Sequence, residues 1–164
     1  MKTSNKMDFL RSLIDRGDIY YNIKGSSPEA ALSSFSKVLR LPKTMDRLGL
    51  ERALIEREGL GTTALGEGFA IPHSRKQVAA DEASAFVAVA YLDTAIDWKA
   101  PDGKPVTTLF LILSAGLENH LSVLSGIACL AGKREFRAFM ARRPSKKELL
   151  EYLQADGNDV GCQA

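Results

Sequence analysis

Two apolar runs limit what this chain can fold into. Residues 85–91 (Ala-Phe-Val-Ala-Val-Ala-Tyr) and 106–113 (Val-Thr-Thr-Leu-Phe-Leu-Ile-Leu) carry almost no charge and are rich in residues that favour extended backbone. A strand with one wet face alternates apolar and polar side chains, whereas a near-continuous apolar strand has to be covered on both faces. The two runs therefore predict central strands, with a turn at Pro101-Asp102-Gly103-Lys104-Pro105 between them.

The flanking sequence supplies the cover. Ile19, Tyr21 and Ile23 alternate as in a half-buried first strand. Ser26-Ser27-Pro28-Glu29 provides a capping hydroxyl, a first-turn proline and an early acid ahead of Leu32, Phe35 and Leu39 at helical spacing, with Pro42 closing the helix. Residues 44–58 repeat the helical spacing through Leu50 and Leu54 and deliver Arg57 near the helix end. The glycine-rich stretch 59–68 reads as a shaped loop, followed by a short strand at residues 69–71. From Asn119, taken as a cap, Leu121, Leu124, Ile127 and Leu130 mark an amphipathic helix with His120 in its first turn. Two shorter helices follow, one around residues 136–140 and one capped by Ser145 with Glu148 three positions on.

Strands and helices interleave throughout, so the expected architecture is α/β: a mixed sheet sandwiched between helices on both faces. At 164 residues the chain suits one domain over 1–164, with a loose tail from about residue 156. Its 22 basic and 20 acidic residues nearly cancel, which argues against a nucleic-acid partner or an anionic membrane surface. There is no apolar run of membrane-spanning length and no signal-peptide core near Met1, so membrane insertion is not expected and the cytoplasm is. Cys129 lies in an apolar helical pattern and reads as a small hydrophobe, while Cys162 falls in the polar tail.

Only two histidines occur, His73 and His120, and imidazole is the side chain best suited to nucleophilic or proton-transfer chemistry near neutral pH. His73 follows Phe69-Ala70-Ile71-Pro72, where a strand ends and proline restricts the backbone just before the ring. The preceding glycine loop does not contain the Gly-x-x-x-x-Gly-Lys-Ser/Thr phosphate loop and does not match the dinucleotide fingerprint. What remains is a loop of amides and two hydroxyls, Thr62 and Thr63, beside an arginine and a histidine, groups that suit a small anion.

The stretch Glu56-Arg57-Glu58-Gly59-Leu60-Gly61-Thr62-Thr63-Ala64-Leu65-Gly66-Glu67-Gly68-Phe69-Ala70-Ile71-Pro72-His73 resembles the active-site segment of the mannitol/fructose-type IIA domains of the bacterial phosphoenolpyruvate-dependent phosphotransferase system. Ile96-Asp97-Trp98 through Val106, and Asn119-His120-Leu121 through Phe136, agree in the same order. The resemblance implies a phosphocarrier that takes a phosphoryl group on His73, with Arg57 and His120 beside it and Thr62 or Thr63 adding a hydroxyl or amide. It implies no metal or cofactor, because the donor is already an activated phosphoramidate on a histidine phosphocarrier protein (HPr or its nitrogen-type counterpart). The chain departs from the family pattern at Ser74, at Phe69 and in a short Ser114–Glu118 segment without the usual acidic run. A chain with no fused IIB, IIC or carrier domain leans toward a nitrogen-type regulator acting on target proteins. The alternatives are a sugar-specific component donating to a IIB cysteine, a binding module that keeps the fold without phosphorylation, and a hydrolase pairing His73 with Asp93 or Asp97, for which no nucleophile motif exists.

Overall fold

The computed structural model describes residues 6–76, 79 and 81–157. The apolar runs form the long inner strands of a five-stranded mixed sheet. The elements are α1 (Lys6–Gly17), β1 (Ile19–Ile23), α2 (Pro28–Val38), α3 (Arg47–Gly59), β2 (Ala64–Gly66), β3 (Phe69–Ala70), β4 (Phe86–Ile96), β5 (Val106–Leu113), α4 (Leu117–Gly132), α5 (Arg134–Ala141) and α6 (Lys146–Asp156). Strand order is β1-β4-β5-β3-β2. β1 is parallel to β4 and β3 to β5, while β4 with β5 and β2 with β3 are antiparallel.

Successive side chains of a strand point to opposite faces, and β4 shows what that does to an unbroken apolar run. Val87, Val89 and Tyr91 enter one core with Leu10, Ile127, Phe136 and Leu149 from α1, α4, α5 and α6. Phe86, Ala88, Ala90 and Leu92 enter the other with Leu32, Phe35, Leu50 and Leu54 from α2 and α3. The small alanines let α2 and α3 approach that face, and the larger residues fill the opposite one. The two-faced sandwich expected from the runs is the one observed.

Local signals and outcome agree at several ends. Ser27 caps α2 by accepting from the Ala30 amide, with Pro28 at its first position, and Ser145 and Glu148 form a reciprocal capping box on α6. Other details differ from the sequence reading. α1 was not expected, although Met7, Leu10, Leu13 and Ile14 bury one helical stripe. The glycine-rich stretch contains a strand, β2, which folds back on β3 through Glu67 and Gly68, both at positive φ. Asn119 is not the cap of α4: Gly116 is, and Asn119 sits in the first turn, donating to the Ala115 carbonyl and Glu82. Ile23 does not share a face with Ile19. Asn22 at φ 56° shifts the register of β1 against β4, which turns Ile23 to the α2 side while Ile19 stays on the α1 side. Cys129 packs half-buried against the core but is disulfide-bonded, not the simple hydrophobe expected. Cys162 and the tail from 158 lie outside the described residues.

The approach of α1 to β4 is tight. A Cβ placed on Gly17 meets the Val87 carbonyl oxygen at 1.9 Å, and backbone at that position has nowhere to move without parting helix from sheet. Gly17→Ala is expected to cost at least about 3 kcal/mol, toward the upper end of overpacking penalties. Urea unfolding midpoints of the two proteins check it.

Candidate functional site

Parallel strands bring their carboxyl ends to the same edge of a sheet, and here β3 and β5 are the parallel pair. Their pairing outlasts β3 itself, because the Ile112 amide donates to the Pro72 carbonyl at 2.9 Å and His73 bridges to Ile112. His73 is thus held in extended backbone at the tip of β3. β5 ends one residue before Ser114, and α4 starts three residues later with His120 in its first turn. Topology therefore returns the second histidine to the first: the rings lie 5.0 Å apart, centre to centre, tilted by 59°.

The two imidazoles are held differently. His73 Nδ1 lies 2.8 Å from the Ile71 carbonyl oxygen. A carbonyl only accepts, so Nδ1 carries the hydrogen and Nε2 presents its lone pair. His120 Nδ1 lies 2.8 Å from Ser114 Oγ, a group able to donate or accept. Arg57, at the end of α3, donates from Nη1 to the Gly61 carbonyl at 2.8 Å, and its charge acts on His73.

Burial favours the neutral ring in both histidines. It is the main cause holding His73 below the ordinary histidine value, assisted by Arg57 and opposed by the Ile71 bond and by Glu58. His120 is lowered first by burial and then by the charge of His73.

Thr62 or Thr63 was expected to add a hydroxyl or a backbone amide to an anion; in the structure both hydroxyls and the Thr63 amide are engaged with protein. Thr62 Oγ1 donates to the Trp98 carbonyl at 2.5 Å, and Thr63 Oγ1 donates to Glu58 at 2.6 Å. Three features were not singled out from sequence. Glu58 and Trp98 meet beneath the loop, with Trp98 Nε1 donating to Glu58 at 2.9 Å. Ser114 orients His120. Arg75 and Lys76 are exposed and share one depression with Arg57, and they also line a recess of about 250 Å3 beside Ser114 and His120. None of these three cations has an ion-pair partner among the described residues. The sequence signal was there, two basic residues directly after His73-Ser74. Asp97 pairs instead with Lys99 on the exposed surface, so it is not an orienting acid for His73. Among the described residues no group of three or more His, Cys, Asp or Glu side chains is placed to hold a metal ion, and no helix is long and apolar enough to cross a membrane.

A sheet edge carrying two imidazoles that burial keeps toward the neutral form, beside Arg57, Arg75 and Lys76, has chemistry suited to an anionic group. Residues 12–156 match the family described as "Phosphoenolpyruvate-dependent sugar phosphotransferase system, EIIA 2", and the chain belongs to that family. It is 32% identical over 148 residues to a nitrogen regulatory protein of Pseudomonas aeruginosa, covering 88% of this chain and 94% of that one. It is 36% identical over 110 residues to a fructose-specific EIIA component of Haloferax volcanii, covering 66% of this chain and 70% of that one. The crystal structure of the nitrogen regulatory protein IIA-Ntr of Neisseria meningitidis superposes with a TM-score of 0.75 at 26% identity, over 87% of this chain and 97% of that one. The protein is therefore an EIIA-type component of a phosphotransferase system, with a phosphocarrier function.

The depressed histidines set a pH dependence. Unfolding restores ordinary pKa values, so below about pH 6.5 the unfolded chain binds protons that the folded site does not. Stability contributed by the two neutral rings is full above the unfolded value and is lost progressively as pH falls from there toward the folded values. NMR titration of the ring protons is expected to place both midpoints below that of a model histidine peptide, and His73→Phe should flatten the acid limb of the stability curve.

Proposed function

We propose that His73 is the phosphorylated residue, that Nε2 is the accepting atom, and that the protein serves as a nitrogen-type regulatory phosphocarrier in the cytoplasm. The observation that carries this reading is the His73 hydrogen bond to the Ile71 carbonyl, which places the hydrogen on Nδ1 and leaves the Nε2 lone pair of a ring that burial and Arg57 keep toward the neutral form. The Nε2 lone pair attacks the phosphorus of a phosphohistidine on a carrier protein of the HPr type. The N–P bond to the donor breaks, its electron pair returns to the donor ring, and an N–P bond to His73 forms. Such transfers depend on positioning and charge stabilisation more than on covalent help from the enzyme.

Arg57 is the group placed to neutralise the equatorial oxygens, because a guanidinium presents paired donors to them. His120 stands at ring contact with His73 and supplies an orienting donor when its Nε2 carries the hydrogen, the tautomer in which Ser114 donates to Nδ1. The start of α4 adds backbone amides on the same side. Thr62 and Thr63 serve the site through the loop they fix, their hydroxyls being engaged elsewhere.

The nitrogen-type reading rests on the Pseudomonas relative, which is matched over nearly its whole length. The sugar-specific alternative, donation to a IIB cysteine, has the Haloferax relative in its favour. Mass spectrometry and 31P NMR after incubation with a phosphoenolpyruvate-driven carrier system should show one acid-labile phosphoryl group, on Nε2 of His73. In His73→Ala it should disappear; label persisting there, or on Nδ1, overturns the assignment. Arg57→Ala should stay folded and accept the group about 100-fold more slowly, a typical loss for one preorganised donor. Arg57→Lys should recover only part.

A further inference from the structure

Glu58 occupies a place that is unfavourable for a carboxylate. It lies at the C-terminal end of α3, where the helix dipole is negative, and it is 9% exposed. Among the described residues it has no ion-pair partner. Three donors converge on it instead. Oε1 accepts from the Thr63 amide at 2.8 Å and from Trp98 Nε1 at 2.9 Å, and Oε2 accepts from Thr63 Oγ1 at 2.6 Å. A carboxylate accepts all three, each bond strengthened by its charge; a glutamine could keep the two N–H bonds on its carbonyl oxygen only by turning the third round, its NH2 donating to the Thr63 hydroxyl, and would lose the charge. A buried charge without a cation is weak support for stability, so its presence next to the nucleophile calls for another account.

The bonds continue from Glu58 to His73. The Thr63 amide is held by Glu58, the Thr63 carbonyl accepts from the Ile71 amide at 3.0 Å, and the Ile71 carbonyl accepts from His73 Nδ1 at 2.8 Å. The links pass through the Cα atoms of Thr63 and Ile71, so what they transmit is position, not electron density. The charge itself acts through space, and it favours the protonated His73 ring. The same anchor fixes the loop whose Gly61 carbonyl holds Arg57.

We propose that Glu58 is a positioning residue of the phosphoryl site: its carboxylate fixes Thr63, and through Thr63 and Ile71 the tautomer and direction of the His73 ring, while the loop it anchors sets the place of Arg57. The transfer readout rests on the function proposed above; the ring readout does not. In unphosphorylated Glu58→Gln, 15N NMR should find His73 no longer confined to the Nδ1–H tautomer. Its pKa should fall further, since an anion facing it is gone while Arg57 on α3 and His120 on α4 remain.

Phosphoryl transfer to the same variant, from a phosphorylated carrier protein or from phosphoramidate, should slow about 10-fold to 100-fold, the scale of a small misplacement near the reacting atoms. In an Arg57→Ala background the further loss should be smaller than in wild type, because part of the effect passes through Arg57. Trp98→Phe and Thr63→Val each remove one donor and keep the charge, so they should slow transfer less and leave the His73 pKa from falling. A folded Glu58→Gln protein with wild-type tautomer, pKa and rate overturns the proposal. If Glu58→Gln does not fold, wild-type rates in both Trp98→Phe and Thr63→Val overturn it, and slowed transfer in both supports it. A wild-type protein that accepts no phosphoryl group overturns the proposed function instead, and the ring measurements still decide the role of Glu58.

Discussion

Parallel pairing of the two-residue strand β3 with β5 is the constraint on which the site depends. A strand that short has little stability of its own, since isolated short pairings are marginal in water. It is held because Phe69 packs against Phe110 and Phe136, with ring centres 5.9 Å apart in both cases, and because β2 closes its outer side. Parallel direction then places both strand exits at one edge, and the chain leaving each exit carries one histidine. Had β3 run antiparallel to β5, His73 and His120 would leave from opposite ends of the sheet, and no loop of three residues before α4 could reunite them.

On the proposed function, the site separates a nucleophile from its helpers. Both rings are half-buried and held below the ordinary histidine value, which favours the neutral imidazole, and the nearby positive charge is supplied by other side chains, Arg57, Arg75 and Lys76. An attacking imidazole needs its lone pair, while the arriving phosphoryl group needs cations; placing the two demands on different residue types lets both be met at once.

The sequence made the frame legible and left the wiring obscure, for physical reasons visible in particular residues. β5 matches its expected span because a two-sided strand has no alternative use for an eight-residue run of six apolar residues and two threonines. Ser145 with Glu148, and Ser27 with Pro28, announced helix starts because capping is a local interaction. The face of Ile23 was misjudged because period-two alternation presumes regular φ, and Asn22 breaks it. β2 was hidden by glycines that a turn demands on either side of a strand only three residues long. His73, Arg57 and His120 could be named from the family resemblance, and the rings do meet. Thr62 and Thr63 carried the right chemistry for an anion, but a hydroxyl's partner is decided by what the tertiary fold brings to it, here Trp98 from 36 positions away and a carboxylate buried beneath the loop. Glu58 looked like one of several acids in an acidic stretch, and nothing local distinguishes a buried glutamate from a solvated one.

If His73 carries the phosphoryl group as proposed, its surroundings bear on what the modification can signal. A phosphoryl group brings between one and a half and two negative charges at neutral pH. Arg57, Arg75 and Lys76 share one depression with a single acid, Glu56, so a phosphoryl group on His73 would cancel most or all of that local net positive charge. The backbone around the ring is fixed by the β3 to β5 bridge, the Pro72 to Ile112 bond and the Glu58 anchor, which leaves little freedom for a large rearrangement. Two states of one rigid surface that differ chiefly in charge are distinguished by partners through electrostatic complementarity, which acts most on encounter and discrimination. Exposed apolar groups stand close to that surface, Leu117 beside the recess at His120 and Leu60 next to the loop that holds Arg57. They supply contact area that is the same in both states. A partner that reads phosphorylation does so through the added oxygens and the changed charge beside the cations, and the leucines contribute equally to either state.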